Sequence, residues 1–208
     1  MQHPVETTTM DTPLTEAYEQ METQHIRHLP VLDEGQLVGV ITDRDLRSAT
    51  SPFHPSPVEA EALVEQAMAS DPITAGPRDP VEEAARLMRA HTIGCLPVMQ
   101  GDTLAGIITG SDLLDAVLRL TGMGKPSGRL AVSLPDQPGE LARLTAGLAE
   151  RALDIRSVLS YYEPESDAED GPPRQRFIFH LDTLNVRPLA DTLRADGFEV
   201  IWPMPKPS

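Results

Sequence analysis

The chain has 208 residues and a formal net charge of −15 at pH 7, with 40% hydrophobic and 24% charged residues. This excess of acid predicts repulsion from nucleic-acid phosphates, and no apolar run approaches the ~20 residues that span a membrane. The single cysteine, Cys95, excludes an intrachain disulfide framework and a cysteine metal cage. Because the start of the chain also lacks the pattern of a signal peptide, we expect a reduced, cytoplasmic protein.

The first two thirds of the chain contain an internal repeat. When Pro30 is aligned with Pro97, an offset of 67 residues, positions 12–46 lie over 79–113 without a gap, and 14 of these 35 positions are identical. Two copies are too few for a solenoid, so the repeat predicts a pseudo-twofold pair.

Each copy predicts a helix, two strands and a closing helix. Thr12-Pro13 and Asp79-Pro80 each combine a capping residue with a proline suited to the first helical position. Apolar residues follow at helical spacing, and turn residues separate the two strands. The strands are predicted at 29–32 and 37–41, and at 96–99 and 104–108; the closing helices open at Asp45 and Asp112.

The segment between the copies predicts a Pro/Ser linker over 48–57 and a short helix over 60–69. An extended lead-in over 71–74 then enters the second copy. The first copy has no such helix ahead of it, so we expect either that this helix is missing or that the start codon was assigned too late.

Each copy carries the pattern Thr-x-x-Asp where its second strand gives way to a helix. One interpretation is a helix capping box, although Glu or Gln serves that box better than Asp. The other is a ligand site, because Gly39 and Gly106 in the strands would let a ligand approach the backbone. There a Thr hydroxyl could donate to a phosphate, and an Asp carboxylate could accept both hydroxyls of a ribose. The two interpretations are compatible.

The repeat resembles a tandem pair of CBS domains, a Bateman module, over roughly residues 1–122. The resemblance depends on Leu-Pro-Val at 29–31 and 96–98 and on Gly-x-Ile-Thr-x-x-Asp at 39–45 and 106–112. It implies two paired β-α-β-β-α units with clefts for AMP, ATP or a related adenosine compound. The implied ligand residues are Thr42, Asp45, Thr109 and Asp112, with Thr7 and Thr74 flanking the adenine.

The two clefts are predicted to differ. Asp43 and Arg44 separate Thr from Asp in the first copy, whereas Gly110 and Ser111 do so in the second. Arg44 could neutralise a phosphate or be a solvated surface side chain. His25 and His28 are too few for a metal site, so we interpret them as solvated or cleft-lining histidines.

The last third of the chain predicts the order β-α-β-β-α-β, the ferredoxin-like plan. An acidic excursion over 163–174 separates the middle strands, and Phe198, Val200 and Trp202 are predicted on one side of the final strand. With Asp136, Pro138 and Gly139 in the first turn, this region resembles an ACT domain. The resemblance implies pairing between domains and amino-acid binding at those three residues, although a tight turn also needs Gly and Pro.

The sequence therefore predicts a mixed α/β (α+β) chain with CBS repeats at 1–58 and 59–122, a linker at 123–128 and an ACT-like domain at 129–205. Two CBS copies followed by one ACT domain resemble the acetoin-utilisation (AcuB-type) family. This implies a homodimeric regulatory protein that senses an adenine nucleotide and has an enzyme partner. No catalytic constellation or metal site is expected in the chain. Two rivals remain: an amino-acid sensor that uses the CBS pair for dimerisation, and a subunit that binds nothing and tethers an enzyme.

Overall fold

The computed structural model describes residues 5–59, 61–122, 126–162 and 173–205. The chain divides into two compact units, Met1–Leu114 and Asp115–Ser208. The division lies inside a helix, before the predicted boundary at residue 122. Three sequence predictions extend onto residues outside the described ranges: the linker at 123–125, the acidic excursion at 163–172, and the start of the helix at residue 60.

The first unit contains the two repeats. In each, a lead-in pairs parallel with the hairpin, and the helix, the two strands and the closing helix follow in the predicted order. The closing helices begin at Asp43 and Gly110, two residues before the predicted Asp45 and Asp112. The register agrees in detail, because both hairpins shift at equivalent places, between Val31 and Leu32 and between Val98 and Met99. The elements are β1 Thr8–Thr9, α1 Leu14–Gln24, β2 His28–Asp33, β3 Gln36–Thr42 and α2 Asp43–Ala49, then β4 Ala69–Ser70, α3 Val81–His91, β5 Cys95–Gln100, β6 Thr103–Thr109 and α4 Gly110–Leu120.

The first helix of each repeat begins one residue later than predicted. Pro13 and Pro80 hold the capping position in an extended conformation, and neither helix has a side-chain cap. The predicted capping side chains face the preceding turn instead. The Thr12 hydroxyl bonds Thr9 Oγ1 at 2.9 Å, and Asp79 Oδ2 accepts from the Gly76 N–H at 2.7 Å. In each repeat the side chain that was predicted to cap the helix is therefore hydrogen-bonded within the preceding turn.

The helix predicted over 60–69 is wrong for the described residues. Only Val64–Gln66 forms a short 3-10 turn. The Val64 N–H donates to Thr12 O, and Ala62 O accepts from Leu14 N, so these backbone groups pair with the start of α1. Val64 is fully buried there, which explains why tertiary bonds replace a helix.

The repeats meet through equivalent strand residues. Val40 of β3, Ile107 of β6 and Cys95 form one buried cluster, with Val5 packed against it. The lead-in of the second repeat also joins the sheet of the first, because Ser70 of β4 pairs with Gly39 of β3. A Cβ on Gly39 would lie 2.7 Å from Met68 Sδ and 3.0 Å from Ala69 O. Gly39 therefore allows the close approach of the segment 68–69, and not of a ligand. This corrects the prediction that Gly39 lets a ligand approach the backbone.

The second unit has the predicted β-α-β-β-α-β order. Its strands pair antiparallel, with 199–202 at one edge, followed by 128–135, 174–181 and 155–162, which is the ferredoxin-like arrangement. Its core includes Phe179, Leu130, Leu144 and Leu193, all fully buried. Membership of the ACT family stays a prediction. The elements are β7 Gly128–Pro135, α5 Glu140–Glu150, β8 Ile155–Tyr162, β9 Arg174–Leu181, α6 Arg187–Ala195 and β10 Glu199–Trp202.

The final strand departs from the predicted alternation at Trp202. A register shift between Val200 and Trp202 sets Val200 opposite Val132 and Trp202 opposite Ala131. Since neighbouring residues of a strand face opposite ways, the shift turns Trp202 to the other face of the sheet. The indole is 45% exposed, whereas Phe198 and Val200 are buried.

A buried histidine should make the stability of the second unit depend on pH. Ser157 Oγ donates to Thr121 O at 2.7 Å and lies 3.1 Å from His180 Nδ1. Burial, with a smaller effect of Arg129, lowers the pKa of His180 below its ordinary value. The unfolded chain therefore binds a proton more readily than the folded chain, so the free energy of unfolding should fall as pH drops below about 6.5.

Urea denaturation at pH 7.5 and 5.5 measures this loss. We expect the loss to be smaller in His180→Gln than in the parent, with His28, whose pKa is also lowered by burial, contributing to the remainder. Equal losses in both proteins would contradict the prediction.

Candidate functional site

The first repeat ends its hairpin in a hydrogen-bonded box. Because β3 ends at Thr42 and α2 begins at Asp43, Thr42 caps the helix. The Asp45 N–H donates to Thr42 Oγ1 at 3.1 Å. Asp45 Oδ2 accepts from the Thr42 N–H at 3.0 Å and from the Thr42 hydroxyl at 2.7 Å. The residues predicted as a ligand site therefore also form a capping box.

The second repeat builds the same box. Asp112 Oδ2 accepts from the Thr109 N–H at 2.8 Å and from its hydroxyl at 2.7 Å, and the Asp112 N–H lies 3.4 Å from Thr109 Oγ1. Burial raises the pKa of Asp112, but the hydrogen bonds that its carboxylate accepts, those from Thr109 among them, outweigh burial and lower this pKa overall. The carboxylate is therefore ionised at neutral pH.

The geometry changes what each box residue can do. Asp closes the box in both copies, so its short length does not separate a cap from a ligand site. A threonine hydroxyl has one proton, and that proton goes to the Asp carboxylate. Donation to a phosphate, as predicted, would need the hydroxyl to rotate. Asp45 Oδ1 has no hydrogen-bond partner among the described residues, so it can accept from a ligand.

The Thr42 cleft is a cavity of about 550 Å³ between the repeats. The first repeat supplies the end of β3, the start of α2 and the turn residues Arg27 and His28. The second repeat supplies its lead-in, 69–73, the turn 92–95 and Pro97. Both polar groups and apolar side chains line this wall, as in small-molecule sites.

The Thr109 cleft is a cavity of about 620 Å³, also between the repeats. The first repeat supplies the turn 25–28, and the second supplies Gly94, Ile107 and 109–111. The two clefts are related by the 67-residue offset. The turn 25–28 of one corresponds to the turn 92–95 of the other, and Ile107 corresponds to Val40 in the Thr42 cleft.

The remaining predicted ligand residues lie in different relations to these walls. Arg44 lines the Thr42 cleft, is exposed, and forms no salt bridge within the described ranges. Thr74 is exposed and follows the wall segment 69–73 without being part of the wall. Thr7 lies ahead of β1, and its carbonyl accepts from Gln20 Nε2 at 3.2 Å. The adenine-flanking role of Thr7 and Thr74 stays a prediction.

Arg27 lines both clefts, and the sequence analysis did not identify it as a site residue. The repeat offset aligns Arg27 with Gly94, and this difference between the two copies is the sequence feature that could have indicated a role for Arg27. A Cβ on Gly94 would lie 2.9 Å from His28 Nε2, so a glycine fits beside the His28 ring. His28 lines both clefts as well, and burial lowers its pKa although Asp43 and Asp45 act in the other direction.

Cys95 occupies the position in the second repeat that His28 holds in the first. It is buried, as predicted, and burial raises the pKa of its thiol to about 12. A protonated thiol is a poor nucleophile and a poor metal ligand. Within the described ranges, no group of three or more His, Cys, Asp or Glu side chains is placed to hold a metal ion.

The predicted amino-acid site lies in the turn between β7 and α5. Asp136, Pro138 and Gly139 are exposed, and Gly139 caps α5 with a φ of 96° and no side-chain hydrogen bond. The Asp136 N–H donates to Pro173 O at 2.8 Å, so this N–H is not available to an amino-acid ligand. In the described part of the chain, no helix combines the length and apolarity needed to cross a bilayer.

Known proteins resemble the first unit. The model of the CBS domain family matches residues 1–51 and 64–119. A CBS domain-containing protein of Dictyostelium discoideum is 43% identical over 123 residues, which are 55% of this chain and 85% of that protein.

Two solved structures extend the likeness to the fold. The CBS domain pair of protein MJ0100, in complex with 5′-methylthioadenosine and S-adenosyl-L-methionine, has a TM-score of 0.51 and 29% identity, covering 60% of this chain and 94% of that one. A structure assigned to acetoin utilisation (AcuB) from Vibrio cholerae has a TM-score of 0.50 and 32% identity, covering 60% and 90%. The chain therefore belongs to the CBS domain family, with two CBS repeats in tandem in its first unit.

Proposed function

We propose that this chain is a non-catalytic regulatory protein that binds an adenosine compound, such as AMP or ATP, between its CBS repeats. The observation that carries the proposal is a pair of equivalent clefts, each bordered by a Thr-x-x-Asp box. The likeness to a CBS pair that holds 5′-methylthioadenosine and S-adenosyl-L-methionine supports an adenosine ligand.

The residues of the Thr42 cleft fit the parts of such a ligand. Asp45 Oδ1 is available to accept from ribose hydroxyls, and Thr42 holds this carboxylate in place. Val40, Ile73 and Pro97 supply apolar surface for adenine. A volume of about 550 Å³ lies within the range of ~300–1,000 Å³ that small-molecule sites occupy.

Binding would act by shifting the equilibrium between packing states of the repeats. The protein would act as a homodimer. The change in packing would be transmitted through the ACT-like domain or to a regulated enzyme partner, a role that fits a chain with a second folded unit. The likeness to the Vibrio cholerae protein makes acetoin utilisation the first pathway in which to seek that partner.

An amino-acid sensor is the alternative function. The observation that favours it is the start of α5, whose first N–H groups have no side-chain cap and lie beside exposed Asp136 and Pro138. A carboxylate could bind there. In that case the CBS pair would serve as a dimerisation platform.

Thermal-shift and calorimetric titrations separate these functions. We expect AMP, ATP or 5′-methylthioadenosine to raise the melting temperature of the first unit, since a ligand at 100 times its Kd stabilises by about 2.7 kcal/mol. A panel of amino acids should leave it unchanged, and a nucleotide-hydrolysis assay should show no turnover. Binding of an amino acid without any adenosine compound would favour the alternative, and turnover would overturn the regulatory proposal.

A further inference from the structure

The two clefts have part of one wall in common. Arg27, His28 and Gly94 line both clefts, and they belong to the equivalent turns 25–28 and 92–95. In the first repeat the Asp43 N–H donates to Arg27 O at 3.1 Å. In the second repeat the Gly110 N–H donates to Gly94 O at 3.1 Å. Positions 27 and 94 therefore have equivalent backbone surroundings, and their side chains differ.

The side chains at this common wall come from the first repeat. Position 27 carries a guanidinium and position 94 carries no side chain, while the counterpart of His28 is the buried Cys95. A Cβ on Gly94 would lie 2.9 Å from His28 Nε2, so the imidazole occupies the space that a side chain at position 94 would need. The wall that both clefts use therefore holds a single guanidinium, that of Arg27.

The Arg27 side chain is available to either cleft. It is exposed, and it forms no salt bridge with any residue that the structure describes. The carbonyl of this residue is hydrogen-bonded to Asp43, so the main chain is held while the long side chain can reorient.

A phosphate in either cleft would need this guanidinium. In the Thr109 cleft, Arg27 is the only arginine on the wall within the described ranges. The wall of the Thr42 cleft has a second one, Arg44, but it also holds three carboxylates. Of these, Asp43 alone has a cationic partner among the described residues, because Arg47 forms a salt bridge with it. Arg44 therefore faces two further carboxylates, and Arg27 is the remaining cation for an anionic ligand.

We propose that Arg27 makes the two clefts compete for phosphorylated ligands: an adenosine phosphate bound in one cleft weakens the binding of a second in the other. This inference rests on the proposed function. The physical reason is that a guanidinium binds a phosphate through parallel N–H···O bonds, and one side chain can lie in only one cleft at a time. Adenosine has no phosphate and should fill the clefts independently. Because the coupling is a difference in binding free energy, it acts equally in both directions.

AMP and adenosine form the test pair, because they differ only in the phosphate. Amide NMR of the isotope-labelled full chain follows the clefts separately. Ile73 reports on the Thr42 cleft and Ser111 on the Thr109 cleft, since each lines only that one of the two. In the parent chain, one cleft should fill with AMP first and the other should fill more weakly.

Weakening one cleft measures the coupling. Asp45→Ala weakens the Thr42 cleft and Asp112→Ala the Thr109 cleft, because each removes a carboxylate that is proposed to accept ribose hydroxyls. With the first-filling cleft weakened, the affinity of the other cleft for AMP should rise about tenfold over its value in the parent, since Arg27 is then available to it. Its affinity for adenosine should stay within about twofold of the parent.

Arg27→Gln and Arg44→Gln are a matched pair of variants. Arg27→Gln should abolish the rise in AMP affinity, whereas Arg44→Gln should keep it, because Arg44 lines only the Thr42 cleft of the two. Ser111→Arg gives the Thr109 cleft the counterpart of Arg44. It should strengthen AMP binding in that cleft several-fold while the Thr42 cleft is filled, a gain that a misfolded protein could not show.

The outcomes separate this inference from the proposed function. If the affinity of the second cleft for AMP is the same whether or not the first is weakened, the competition is overturned while the adenosine-binding function stands. A rise that persists in Arg27→Gln would assign the coupling to repulsion between the two phosphates and would overturn the role of Arg27. Failure of the parent chain to bind either compound would overturn the proposed function, and the competition with it.

Discussion

Replacing Asp45 and Asp112 together by alanine is expected to lower affinity for adenosine compounds by about 100-fold in each cleft. Each carboxylate is proposed to accept two ribose hydroxyls, and a hydrogen bond to a charged group contributes about 1.5–3 kcal/mol. Loss of two such bonds gives about 3 kcal/mol, or roughly 100-fold in Kd. Calorimetry with 5′-methylthioadenosine and AMP measures the effect.

The same substitutions also remove the carboxylate half of each capping box, which accepts from the Thr42 or Thr109 N–H, so the unliganded protein should lose stability. Loss of such a hydrogen bond costs about 1 kcal/mol, which a melt without ligand records separately from affinity. Asp33→Ala with Asp102→Ala is the matched control, because it removes the same charge from exposed hairpin residues outside both cleft walls. Unchanged affinity in the double box variant would leave the boxes as caps alone and favour the tethering-subunit rival.

Phe179→Ala is expected to unfold the second unit near physiological temperature. Phe179 is fully buried in β9, pairs with Leu130 and Val158, and lies 6.3 Å from the Phe177 ring, centroid to centroid. Truncating a buried Phe to Ala costs about 3–5 kcal/mol. Such a loss is a large part of the 5–15 kcal/mol that stabilises a typical domain.

Calorimetric melts of Phe179→Ala should show one transition moved down and the other retained. The retained transition should still shift upward with an adenosine ligand, because both clefts are built from the first unit. Phe53→Ala is the matched control, since this phenyl ring is 97% exposed and its loss should change stability by less than about 0.5 kcal/mol. Loss of ligand binding in Phe179→Ala would show that the two units do not fold independently.

The sequence alone determined the features that repeat or alternate along the chain. The offset between Pro30 and Pro97 predicted two equivalent repeats. In the structure the hairpins of these repeats have register shifts at equivalent positions as well. The alternation in the last third predicted the ferredoxin-like order that the sheet shows. The Thr-x-x-Asp spacing placed both boxes correctly. The repeat is visible when one segment of the sequence is compared with another, and the alternation and the Thr-x-x-Asp spacing involve neighbours within a few residues, so the sequence contains all three directly.

Tertiary structure decided the features in which distant segments compete for the same groups. The chain at 62–64 forms backbone bonds to the start of α1 instead of a helix, and Gly39 contacts the segment 68–69 instead of a ligand. A one-residue register shift turned Trp202 to the other face of its sheet.

The convergence of Arg27 and His28 on both clefts is the largest feature that only the fold could decide. Each cleft combines residues from both repeats, for example Thr42 with Gly94, which are far apart in the sequence. A local sequence pattern cannot predict that such distant residues meet in one cleft, because their proximity arises from the packing of the two sheets. The set of side chains that lines each cleft therefore followed from the packing of the repeats against each other.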